Sequence, residues 1–274
     1  MKIVNLIENT EGKNACRCEH GLSFYIETKK HKLLADTGAS DAFLENASQL
    51  GVDLKKVDTC FLSHGHYDHA GGIMAFAKLN PVAKILMSSL AGNAYYHVYP
   101  EGEKYIGIQP EILTLPQTEF ISENKRVDEE LFVFSGVTGR KYWPEGNRVL
   151  AEKVNNLFLQ DEFKHEQYLV ITEADKRVLI SGCAHNGILN ILEKYQEIFG
   201  EYPNVVISGF HLMKKSGYSN DDIELIRTTA EELNKTNITF YTGHCTGEIP
   251  FQIMKEIMGE KLNYVHSGDS IRLD

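Results

Sequence analysis

The chain has 274 residues, 42% of them hydrophobic, and a formal net charge of −10 at pH 7. That is enough apolar material for a substantial core in one large domain, and no run approaches the roughly 18 apolar residues that would cross a bilayer, so no membrane partner is expected. The negative charge repels phosphate backbones, so no nucleic-acid partner is expected either.

Met1 to Asn9 alternates apolar and polar residues like a strand and lacks the apolar core and small-residue cleavage site of a secretion signal. Five cysteines, an odd number, show no disulfide framework; Cys16 and Cys18 are close neighbours and read as ordinary residues on the second strand. A cytoplasmic protein follows. Leu22 to Glu27 and His31 to Ala35 read as a hairpin across Thr28-Lys29-Lys30, and Ser40 reads as the N-cap of a helix holding Phe43, Leu44, Ala47 and Leu50. Val57 to Leu62 is a buried strand, Ile73 to Leu79 a helix, and Lys84 to Met87 the next strand. From about Ser88 to Gln160 the pattern is irregular, rich in tyrosine, with the only tryptophan, Trp143. A stretch that long must contain strands of its own, Glu111 to Leu115 and Glu130 to Ser135 being the best candidates. It is expected as an insertion, about 88–160, that packs over the site, the alternative being a solvent-facing elaboration or oligomer contact.

Regular alternation then returns. Gln167 to Thr172 and Arg177 to Ser181 form a hairpin; Asn186 to Phe199, Ser219 to Leu233 and Pro250 to Met258 are helices; Asn204 to Ser208 and Ile238 to Thr242 are strands; Tyr264 to Leu273 closes the chain. No repeat or domain linker is visible, so residues 1–274 are expected as a single layered α/β domain.

The sharpest local signal is Ser63-His64-Gly65-His66-Tyr67-Asp68-His69, directly after a strand and followed by Gly71-Gly72. Imidazole and carboxylate are ligands for zinc, iron and manganese, and a metal with open positions supplies a Lewis acid and an activated water. In this spacing His64 and His66 can face one metal from alternate positions at a strand end, while Asp68 and His69 reach toward a second. Three later histidines share one grammar, a β-rich run and then a Ser/Thr-Gly step: His185 after Ser181-Gly182, His211 after Ser208-Gly209, and His244 after Thr242-Gly243. Strand ends on one edge of a sheet gather their side chains in one place, so all three are expected to converge on the first motif.

These residues resemble the metallo-β-lactamase-fold superfamily. Leu33 to Gly38 resembles its early strand ending in an Asp-x-Gly turn, and His20-Gly21-Leu22-Ser23, Ser181-Gly182-Cys183-Ala184-His185, Gly209-Phe210-His211-Leu212 and Thr242-Gly243-His244-Cys245-Thr246-Gly247 resemble its dihydropteroate-synthase-like branch, named for a methanopterin-pathway enzyme. The resemblance runs from about Asn5 to the C-terminus. It implies a four-layer αββα sandwich of two related halves with the site between the sheets. It implies two divalent transition metals, zinc before iron or manganese, assigned to His64, His66 and His185 and to Asp68, His69 and His244. Asp36 would orient a ligand imidazole, or serve only as a turn or cap. Where the superfamily usually has Gly-Asp after the hairpin, this chain has Gly182-Cys183, so Cys183 either binds the second metal as a thiolate or packs while His185 or His211 serves instead, packing being favoured. His165 is read as a surface strand residue. His20 is expected to line the pocket, Tyr67 either to meet substrate or to pack beneath the loop, and His31, His97 and His266 have no partner pattern.

The expected activity is metal-assisted hydrolysis of a phosphate ester or a carboxylic ester or amide in a small molecule, with Asp68 or His211 managing the proton. One alternative is the branch's namesake transfer, joining a dihydropterin to an aminobenzene ribosyl phosphate. The other is a non-catalytic sensor or scaffold with a closed coordination shell.

Overall fold

The fold is seen in a computed structural model that describes residues 1–12 and 14–273. Two seven-stranded sheets stack face to face, with helices covering both outer faces. In the first sheet the order is Ser270–Arg272, Lys2–Ile7, Ser23–Glu27, Lys32–Ala35, Thr59–Phe61, Lys84–Ser88, Thr118–Ile121. In the second it is Leu262–Tyr264, Thr239–Thr242, Val205–Ile207, Lys176–Ile180, Tyr168–Glu173, Leu131–Phe134, Lys125–Arg126. Each sheet runs antiparallel at one side and parallel at the other.

Side-chain parity explains the layers. Successive strand residues point to opposite faces, and here both faces are apolar. Leu33 and Ala35 join Val178, Ile180, Val205 and Ile207 in the core between the sheets. Leu34, between the first two, packs instead with Phe43 and Phe76 beneath the helices Ala42–Gln49 and Ile73–Leu79. Leu179 and Val206 pack outward under Ile188–Phe199, Asn220–Asn234 and Glu248–Met258. The result is the αββα sandwich. The Asn220–Asn234 helix starts with a full capping box: the Ser219 side chain takes the Asp222 N–H and the Asp222 carboxylate takes the Ser219 N–H.

Several details differ from the sequence reading. The second strand starts at Ser23, so Cys16 and Cys18, expected on it, run in the loop ahead of it. The N-cap of the first helix is Asp41; Ser40 Oγ accepts the Ala42 N–H at 3.1 Å. Glu111 to Leu115, expected as a strand, lies in a 3₁₀ helix over Pro110–Thr114, because Pro110 at the first helical position starts a turn. Residues 88–160 supply edge strands to both main sheets, and the rest of the stretch builds a separate antiparallel sheet in the order Leu157–Gln160, Leu150–Val154, Tyr95–Tyr99, Gly102–Tyr105. None of the helices is long and apolar enough to cross a membrane among the described residues.

His31, which showed no partner pattern in the sequence, clamps the two sheets together. Its Nδ1 lies 3.0 Å from Asp58 in the first half, and its Nε2 2.8 Å from Asp128 beside the second sheet. Burial disfavours the charged ring, but the two carboxylates outweigh it and raise the pKa above its ordinary value. A raised folded-state pKa adds stability that is fully present below the unfolded value of about 6.5 and is lost as pH rises through the folded value. His31→Gln should therefore lower the melting temperature by a few degrees, about 2–4 °C for a pair of roughly 1 kcal/mol, at pH 6. The deficit should shrink at pH 9. A deficit independent of pH would show that the ring acts through packing alone.

Candidate metal centre

The parallel strands of both sheets carry their site residues just past their C-terminal ends, where α/β proteins gather chemistry. From the first sheet, Asp36 follows Lys32–Ala35, and His64 follows Thr59–Phe61. From the second, Cys183 and His185 follow Lys176–Ile180, His211 follows Val205–Ile207, and His244 follows Thr239–Thr242. Asp36, Ala184, His211 and His244 all have left-handed backbone, with φ of 58°, 55°, 50° and 50°. Non-glycine residues rarely sit there unless the surroundings hold them, and such positions cluster at functional sites.

The Ser-Gly steps have a steric reason. A methyl group on Gly182 would collide with Ser63 Oγ and stand 3.1 Å from His64 Nδ1. One on Gly209 would collide with Cys245 Sγ. Only glycine lets these loops close on the centre.

The rings of His64, His66 and His185 sit in a triangle with centroid separations of 4.6, 4.9 and 4.9 Å. Beside it, Asp68 Oδ2 lies 3.9 Å from His69 Nε2 and 3.6 Å from His244 Nε2. The residues assigned from the sequence to two metals are thus neighbours, although the ligand atoms of His66 also lie within 4.8 Å of those of Asp161 and His165. Cys183 Sγ stands between them: it lies within 4.8 Å of ligand atoms of His64 and His185 and, in a second trio, of His69 and His244. Its distance to His69 Nε2 is 3.2 Å.

Four of the histidines are oriented through Nδ1. His69 Nδ1 lies 2.6 Å from Asp36 Oδ2, which also accepts the Ser63 hydroxyl at 2.7 Å. His64 Nδ1 lies 2.8 Å from Ser63 Oγ, whose own proton is committed to Asp36. His185 Nδ1 lies 2.9 Å from Asn147 Oδ1 and His244 Nδ1 2.8 Å from Asn9 Oδ1. In His64, His185 and His244 these contacts place the proton on Nδ1 and leave Nε2 with a free lone pair, whereas His69 Nε2 faces Cys183 Sγ. The Nε2 atoms of His64, His66, His185 and His244 are buried and have no hydrogen-bond partner.

Electrostatics agree. Burial first, and then the neighbouring imidazoles, push the pKa of His64, His66 and His185 well below the ordinary value. The same holds for His244. They are neutral donors with their lone pairs free. Burial lowers His69 as well, but Asp36 and then Asp68 overcome it and lift its pKa to about 9.

Two buried glutamates that the sequence reading passed over hold the histidine loops by their backbone. Glu166 accepts the His185 N–H at 2.7 Å, the Asn186 N–H at 2.9 Å and the Tyr168 hydroxyl at 2.6 Å. Glu8 accepts the His244 N–H at 2.9 Å. His165, expected at the surface, is fully buried: its Nδ1 accepts the Gly65 N–H at 2.9 Å, Asp161 holds its Nε2 at 3.1 Å, and Tyr95 stacks on it at 3.9 Å. Both its nitrogens are occupied, so it braces the motif loop. Gln167 adds a contact from its N–H to Ser63 O at 2.8 Å. The bracing is crosswise: residues from the second half hold the first half's loop, and Glu8 and Asn9 from the first half hold His244.

At the mouth, His20 is half exposed with Nε2 3.3 Å from Asp68 Oδ2, Tyr67 lies beneath the Lys104 ammonium, and the His211 ring lies 4.1 Å from that of His185 at a tilt of 52°. Phe163 lies flat on His185 at 4.4 Å.

Comparison with known proteins points one way. A family model described as the metallo-beta-lactamase superfamily matches residues 16–148. The solved structure of Tm1679, described as a metal-dependent hydrolase of the beta-lactamase superfamily, is 31% identical, with a TM-score of 0.83 over 100% of this chain and 99% of that one. An uncharacterized protein of Methanocaldococcus jannaschii is 30% identical across 88% of this chain and 89% of its own length. From the same organism, 7,8-dihydropterin-6-methyl-4-(beta-D-ribofuranosyl)-aminobenzene-5'-phosphate synthase is 29% identical across 99% of this chain and 96% of its own.

Proposed function

From the premise that this chain belongs to the metallo-beta-lactamase superfamily, we propose that it is a metal-dependent hydrolase acting on a small molecule with a phosphate ester, carboxylic ester or amide bond. The observation that carries this reading is the set of four buried, unpartnered Nε2 atoms on neutral imidazoles. A buried polar atom without a partner is costly, and a divalent cation removes that cost. His64, His66 and His185 would hold one ion, and Asp68, His69 and His244 a second. Against the packing role favoured from sequence, Cys183 would serve both as a thiolate, because its sulfur stands between the two groups. Zinc suits a mixed imidazole, carboxylate and thiolate set better than manganese does. Bound there, the ions supply Lewis acidity and an activated water.

The chain's own residues do the rest. Asp68 Oδ2 faces both His20 and His244, placed to take a proton at the centre and return it to a leaving group. His20, Tyr67 and His211 would contact substrate at the solvent-facing side of the centre. Asp36, Asn147 and Asn9 keep the histidine tautomers fixed through the cycle. Five free thiols fit a reducing, cytoplasmic setting.

A second reading is favoured by one observation: the synthase relative aligns over nearly the whole of both chains. In that reading the same centre catalyses a transfer that releases an anionic leaving group. A panel of phosphodiesters, phosphomonoesters, lactones, thioesters and β-lactams, run beside the synthase reaction on metal-replete protein, separates the two.

Metal content checks the shared premise. Protein reconstituted with zinc should hold metal in both ligand sets, and His66→Ala should lose mainly the ion of the first. Elemental analysis reads this directly. A content that stays at a fraction of one ion per chain with every ligand intact would sink the binuclear reading.

A further inference from the structure

Cys245 takes no part in either histidine set, yet it points into the same floor. It is buried, as is Cys183, and the ligand atoms of Cys183, His211 and Cys245 all lie within 4.8 Å of one another. The three come from three successive loops at the C-terminal ends of neighbouring parallel strands. The space for the Cys245 sulfur exists because residue 209 is glycine. Cys245 Sγ finds only a weak acceptor, Cys183 O at 3.5 Å. His211 is held with a left-handed backbone, and its buried Nδ1 has no partner. Two buried thiols and an imidazole with ligand atoms within 4.8 Å of one another match the donor set that soft divalent cations select.

We propose that Cys183, Cys245 and His211 form a third ligand set, one that takes a thiophilic divalent cation of the zinc–cadmium class. It lies on the sulfur side of the centre and shares the Cys183 thiolate, which has lone pairs enough to bridge. Cys183 is already a thiolate through the ions it shares, so binding releases the Cys245 proton to solvent, and two thiolates and the His211 ring face the cation. Three protein ligands leave a fourth position open, and the half-buried His211 places it toward the mouth. The set discriminates against hard cations such as magnesium, which oxygen-only sites prefer.

Cobalt(II) alone, as a spectroscopic stand-in for zinc, tests this. Wild-type protein loaded with cobalt should show near-ultraviolet sulfur-to-cobalt charge-transfer absorption. Cys245→Ser should lower that absorption by about a quarter at saturating cobalt, since Cys183 supplies a sulfur contact to each of the three ions and Cys245 supplies one, and Cys183→Ser/Cys245→Ser should abolish it while the weaker visible bands of the histidine-bound ions remain. Cobalt charge transfer in Cys245→Ser equal to wild type overturns the proposal, and so does its absence from wild type. Should the serine variants not fold, cadmium titrated into wild-type protein reads the same point: absorption corresponding to four sulfur contacts per chain is expected, and absorption of three or fewer overturns it. The hydrolase reading fails on other readouts, turnover and the metal content of His66→Ala, so the two fail separately.

Discussion

Asp68→Asn should lower turnover of any confirmed substrate by about 10²-fold or more, the scale of lost acid–base help. The amide keeps the shape of the side chain but removes the charge and most of the basicity from Oδ2. That atom lies 3.3 Å from His20 Nε2, 3.6 Å from His244 Nε2 and 3.9 Å from His69 Nε2, so one carboxylate addresses the mouth and the second ligand set at once. Metal must be counted in the same sample. If turnover falls in step with the second ion, Asp68 acts as a ligand alone; if turnover falls with both ions retained, it handles a proton as well. Undiminished turnover would place the chemistry elsewhere and leave the motif as a structural clasp.

Glu166→Ala should be the most damaging change outside the ligands. The carboxylate is fully buried and accepts hydrogen bonds from the His185 and Asn186 backbone, the Asn186 amide and the Tyr168 hydroxyl. Truncation leaves those donors facing a cavity with no acceptor. Each stranded buried group costs about 1–3 kcal/mol, so the total after partial relaxation should be roughly 3–5 kcal/mol. Thermal denaturation should show a fall of about 10 °C or more, and zinc affinity should weaken because the His185 loop loses its anchor. A variant that melts near wild type with zinc affinity intact would show that the loop is held by Asn147 and Phe163 without the carboxylate.

Much of this could be read from the residues, for definite reasons. The hairpins and helices announced themselves because alternation and helical spacing reflect burial directly, and the capping box at Ser219 is a local signal. The histidines were readable because a Ser/Thr-Gly step before each marks a strand end that must pack closely. Their supports were not. Glu8 lies 236 residues from the histidine it holds, and Asn147 lies 38 from His185; a buried carboxylate or amide looks in sequence like any surface polar residue. His165 was misplaced for the same reason, since its partner Asp161 shows its role only once both are buried. Pro110, directly before the segment expected as a strand, favours the turn that forms there.

The crosswise bracing makes the centre a seam between two halves of the fold, and a seam cannot be half sewn. Glu8 and Asn9 fix His244 only when the first half is docked on the second, and His165 and Gln167 secure the His64 loop only from the other side. The final strand, Ser270–Arg272, reinforces this by leaving the second half to close the edge of the first sheet. Metal binding and tertiary structure should therefore be coupled: a chelator is expected to weaken the docking of the halves, and a change that loosens their docking to weaken the grip on metal.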